Sequence, residues 1–87
     1  MKLLQWFFSP KEDSTLAFHM KRGNKFLYSG HEQYQEAIAE FSKVIELDEQ
    51  CVEAYVLRGM AYYFCNELEL AGKDFHKSHE LEAQKKV

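Results

Sequence analysis

The sequence predicts an all-α protein made of two stacked helical hairpins. Three observations carry this expectation. Apolar residues recur at three- and four-residue steps along most of the chain. Its 87 residues include four glycines and a single proline, which leaves little punctuation for strands and turns. One phrase is also written twice: EAIAEFSKVIELD at 36–48 returns as LAGKDFHKSHELE at 70–82.

The first helix has a start signal. Ser9 serves as N-cap, Pro10 takes the first helical position, and Glu12 stands three residues after the cap. This helix is expected to run to about Ser29 and stop at Gly30, which tolerates the left-handed conformation that closes a helix. The second helix, about Gln33 to Leu47, places Ala37, Ile38, Phe41, Val44 and Ile45 on one apolar face. A polar break at Asp48–Gln50 leads into a third helix, about Val52 to Cys65, with Asn66 as its stop. A fourth spans about Leu68 to Leu81. Glu40 and Asp74 read as solvated carboxylates on faces opposite the apolar stripe.

Bulk properties narrow the function. A chain of this length supports one small domain of modest core. A formal charge of -3 argues against nucleic acid and anionic membranes, because affinity for either comes from many cations neutralising many phosphates. Cys51 and Cys65 lie at the two ends of the third helix, where a rise of about 1.5 Å per residue holds them about 20 Å apart, too far for a disulfide. Two free thiols fit a reducing compartment, the cytoplasm. MKLLQWFF at the N-terminus is too short to span a membrane and lacks the cleavage site of a signal peptide.

The duplication sets the architecture. Ala37 and Ala71, Phe41 and Phe75, Lys43 and Lys77, Glu46 and Glu80, and Leu47 and Leu81 are each 34 positions apart. Arg22-Gly23 matches Arg58-Gly59 at an offset of 36, as do Phe26 with Tyr62 and Gly30 with Asn66. The two-residue difference falls in the turn GHEQ, where an insertion costs little. A period near 34 with two helices per unit marks a helical repeat array.

The chain resembles the tetratricopeptide repeat proteins, with units at about 16–51 and 52–85. In the second unit Tyr55, Gly59, Tyr62, Ala71, Phe75 and Ser78 stand where the family places its large, small, aromatic, small, aromatic and small residues. Gly23, Phe26, Ala37 and Phe41 match in the first unit; His19 replaces an expected aromatic, and Glu49 and Ala83 replace the closing prolines. The resemblance implies a helical-hairpin solenoid fragment that binds protein. It also implies a concave groove lined by the first helix of each unit: Met20, Lys21, Asn24, Leu27 and Tyr28, then Val56, Leu57, Met60, Tyr63 and Phe64. That lining is mostly apolar and suits a peptide or an amphipathic helix, as in a small adaptor, scaffold or assembly factor.

KRGNKFLYSG further resembles, weakly, the co-chaperone repeat domains whose carboxylate clamp grips the C-terminus of large chaperones. Asn24 matches one clamp asparagine, but Met20 stands where the first lysine belongs and Leu57 where the second asparagine belongs. No third repeat supplies the remaining cations.

Two units are fewer than such arrays normally need. Ile38 and Ile45 of the first unit become Gly72 and His79 in the second, so the last helix reads as the solvent-facing end of the array. Residues 1–9 form a separate apolar segment ahead of the repeat domain at 10–87. This segment caps the first unit of its own chain, or, through residues 1–8, completes a homodimer in a self-association unit that needs no outside ligand, or lies at a membrane interface, where the single Lys2 supplies little electrostatic attraction. His76 and His79 are three apart, and without a third ligand they read as surface histidines rather than a metal site. Lys21, Arg22 and Lys25 read as a solvated basic face. No nucleophile–base pair, phosphate loop or inward carboxylate pair has the spacing catalysis requires, so neither an enzyme nor a cofactor is expected.

Overall fold

The computed structural model describes residues 2–30 and 32–85, with side chains from Thr15 onward. Four helices follow in order: α1 (Lys2–Leu27), α2 (Tyr34–Leu47), α3 (Val52–Phe64) and α4 (Leu68–Lys85). Each packs on the next, and α1 also meets α3, so the helices zigzag as two successive hairpins. The described residues contain no strand.

The first helix corrects one expectation. It begins at Lys2 and passes through Ser9-Pro10 without a break, so the capping signal there does not start it. MKLLQWFF has no glycine or proline to stop a helix from propagating. The packing of this segment's side chains, on which the cap and dimer readings turn, lies outside the described residues. At its other end α1 finishes at Leu27. The backbone N–H and hydroxyl of Ser29 both reach the Phe26 carbonyl, and Gly30 takes φ +77°.

The remaining boundaries follow local chemistry. Asp48 accepts a hydrogen bond from the Gln50 N–H at 3.0 Å and closes the turn between α2 and α3. The Tyr55 hydroxyl donates to the Glu49 carbonyl at 3.1 Å and anchors α3 to that turn. At the end of α3, Asn66 adopts φ +67°, the Glu67 N–H reaches the Tyr62 carbonyl, and the Asn66 N–H reaches that of Tyr63. This is a Schellman closure with asparagine in the usual place of glycine.

The core follows the duplicated pattern. Ala37, Ile38, Phe41 and Val44 of α2 are buried, and Leu27, Leu57 and Ala61 join Ala37, Ile38 and Phe41 in one cluster. Phe41 lies against Gly23 and Phe75 lies against Gly59. A methyl group at either glycine would stand within 3 Å of the facing ring, so each hairpin closes as an aromatic ring on bare backbone.

Glu40 and Asp74 correct the reading of solvated carboxylates. They are 6% and 5% exposed, and each is paired. Glu40 bonds His19 Nδ1 at 2.7 Å and meets Arg22 at 3.3 Å. Asp74 takes a two-pronged bond from Arg58 Nε and Nη2, both at 2.8 Å, while Arg58 Nη1 donates to Ser42 at 3.1 Å. Arg58 thereby ties α3 to α2 and α4 at once. The Asp74 hydrogen bond raises the Arg58 pKa further above its usual value, against the lowering effect of burial. Its planar fork suits this geometry in a way lysine's single ammonium does not.

Candidate partner-binding surface

Helices α1 and α3 are the first members of the two hairpins and run parallel, so their C-terminal ends lie at one end of the molecule, with the starts of α2 and α4. The residues expected to line a groove on them divide into three sets. Leu27 and Leu57 are core, at 4% and 9% exposed, and offer a partner little surface. Met20, Asn24, Val56 and Met60 are half-buried, and the two methionines pack along the edge of the central cluster. Lys21, Tyr28, Tyr63 and Phe64 are exposed.

The exposed aromatics gather with others at the C-terminal ends of α1 and α3. Tyr63 is 59% exposed and Phe64 47%; their ring centroids are 5.9 Å apart at 67°. Tyr34, from the start of α2, stacks on Phe64 at 5.4 Å. Tyr28 and Leu68 are also exposed at this end. Tyr34 and Leu68 belong to the second helices of the hairpins, so counting groove positions on the first helices alone passes over them. Their signal in the sequence is an apolar residue opening each second helix, where a charged one would serve as well.

Asn24 adds a polar feature. Its side-chain oxygen is enclosed and has no hydrogen-bond partner among the described residues. An unmet buried acceptor costs about 1–3 kcal/mol, which a donor from a bound chain would recover.

The thiols are unpaired, and both are half-buried rather than fully enclosed. Burial chiefly raises the Cys65 pKa, aided by Glu67, against the Gln35 amide that reaches its sulfur at 3.7 Å. Such a thiol is a poor nucleophile at neutral pH. His76 pairs with Glu80 one turn away at 3.3 Å. Among the described residues no three metal-ligating side chains converge, and no helix is long and apolar enough to cross a membrane.

Residues 26–51 match the tetratricopeptide repeat family model, from the last two residues of α1 through α2 to Cys51, the residue that precedes α3. Neither a curated protein nor a solved structure matches the chain. A match to this repeat family suggests a protein–protein interaction module.

Proposed function

We propose that this chain, a protein built on tetratricopeptide-like repeats, is a small adaptor that binds a peptide or an amphipathic helix of a partner along the face shared by α1 and α3. The observation that carries the reading is the exposed aromatic cluster of Tyr63 and Phe64 stacked with Tyr34. Large apolar side chains left together on a small domain mark an interaction surface. The half-buried Met20, Val56 and Met60 extend this apolar surface along the helices, and methionine adapts to irregular apolar partners.

The enclosed Asn24 oxygen would accept an N–H from an extended or helical ligand. Lys21 and Tyr28 complete the contacting set on α1. A carboxylate clamp is not part of the proposal, because Asn24 is the one donor group of such a clamp that this chain retains. The unpaired Cys51 and Cys65 support the cytoplasm as the place of work.

The test is panning of a phage-displayed peptide library on the full chain, followed by calorimetric titration of the selected peptides. Peptides rich in aromatic and branched apolar residues are expected, with affinity at least tenfold weaker for Tyr63→Ala/Phe64→Ala. Selected peptides that bind that variant as well as the parent chain would refute the proposal.

A further inference from the structure

The offset of 36 that relates the two first helices gives each position of α1 a counterpart on α3. Since Arg22-Gly23 corresponds to Arg58-Gly59, Phe18 corresponds to Ala54, Lys21 to Leu57 and Lys25 to Ala61. Those three residues of α3 are buried, and Leu57 and Ala61 cluster with Ala37, Ile38 and Phe41 of α2. They are the face by which α3 receives the helix before it.

Among the described residues the same face of α1 receives no helix, since α1 packs on α2 and α3 alone. Phe18 is 53% exposed there, and Lys21, Arg22 and Lys25 surround it in the solvent. With Asn24 they line a concavity of about 670 Å³. Lys21 and Lys25 stand one turn apart, a like-charge spacing that disfavours the helix by a few tenths of a kcal/mol. Neither has an ion pair among the described residues. Arg22 shares Glu40 with His19, and half of its side chain remains exposed. These three cations within five residues belong to a chain whose net charge is -3.

We propose that this outer face of α1, which borders the α1–α3 face along Lys21 and Asn24 and centres on Phe18, Arg22 and Lys25, is a second docking surface, and that it takes an acidic amphipathic helix of a partner protein in the position α2 holds against α3. An apolar residue of that helix covers Phe18, and carboxylates one turn either side meet Lys21, Arg22 and Lys25. A second copy of this chain is the weaker occupant. The outward face of its last helix carries Gly72 and His79, neither of which supplies an apolar knob.

A fluorescein-labelled synthetic peptide, three copies of Glu-Leu-Ala-Glu-Leu-Glu-Glu, is the probe, titrated with the full chain by fluorescence anisotropy. Saturable binding with a Kd of about 10–100 μM is expected for a surface of this size. The expected loss is at least tenfold in Lys21→Glu/Lys25→Glu and at least threefold in Phe18→Ala. Lys73→Glu on α4 should bind as the parent does, and far-UV circular dichroism should show every variant helical. The proposal is overturned by any of four results: no saturation up to about 1 mM; indifference to the double charge reversal; equal binding of a peptide with lysine in place of each glutamate; or a parent chain that is dimeric, or held on anionic vesicles, through Lys21 and Lys25.

Discussion

Replacing each helical glycine by alanine should separate two effects that act in opposite directions. In a helix interior the change stabilises by about 1 kcal/mol through backbone entropy and propensity. Against this stands the space available. A Cβ at Gly23 would lie 2.5, 2.8 and 2.8 Å from three atoms of the Phe41 ring, where ordinary carbon contacts are about 3.5–4.0 Å. Phe41 is fully buried, so its ring cannot retreat by the required ~1 Å without moving the core around it. Overpacking of this kind costs about 2–3 kcal/mol. Gly23→Ala should therefore lose about 1–2 kcal/mol net, which lowers the urea midpoint by about 1 M for a domain of this size.

At Gly59 the closest approaches are 2.7, 3.0 and 3.1 Å to Phe75, a half-exposed ring that can tilt outward. The net loss at Gly59 should be about 0–1 kcal/mol. Gly72 has nothing within 4 Å of its Cβ position, and alanine there should gain about 0.5–1 kcal/mol. Urea unfolding followed by far-UV circular dichroism gives all three values. A Gly23→Ala protein as stable as the parent would refute the ring-on-backbone account of hairpin closure.

Three further outcomes follow from the paired charges and raised pKa values. Asp74→Asn leaves Arg58 with half its partner in a half-buried site and should cost about 2–3 kcal/mol in the same unfolding assay. Glu40→Gln, whose cationic partner Arg22 is half in solvent, should cost about 1 kcal/mol or less, so the order of the two variants checks the geometry. Burial raises the pKa of Cys65 above 9.0 and that of Tyr55 above 10.0, so the folded chain holds these protons more tightly than the unfolded chain. That stability is present in full below about pH 9 and is lost as pH rises through the folded values. Urea midpoints at pH 7, 9 and 10.5 should show the decline, and Tyr55→Phe should flatten its upper part.

Much of the fold was legible because helical spacing and the 34-residue echo point to the same faces. Gly30 and Asn66 were readable as stops for a physical reason: both take positive φ, which few other residues tolerate. The start of α1 was misread because a local cap signal at Ser9-Pro10 competes with a preceding run free of breakers, and the longer helix prevails.

Glu40 and Asp74 were placed opposite the apolar stripe because of their charge, although their spacing puts them on it and both are buried. Ala37, Glu40, Phe41 and Val44 fall at the spacing of a single face, as do Ala71, Asp74, Phe75 and Ser78. Each acid directly precedes the ring that fills its hairpin, and each hairpin also carries an arginine before its glycine, so the sequence held both halves of the pairs. The surface was legible only in part. Leu27 and Leu57 share the groove spacing yet turn into the core, and which side of a helix faces a neighbour depends on contacts no single helix specifies.

The most direct test of the binding account is a 1H–15N spectrum of the full chain titrated with a library-selected peptide. Amide shifts should concentrate at Met20, Asn24, Tyr28, Val56, Met60, Tyr63 and Phe64. Shifts confined to α4, or spread evenly over the chain, would contradict the assignment of the α1–α3 face as the place where a partner binds.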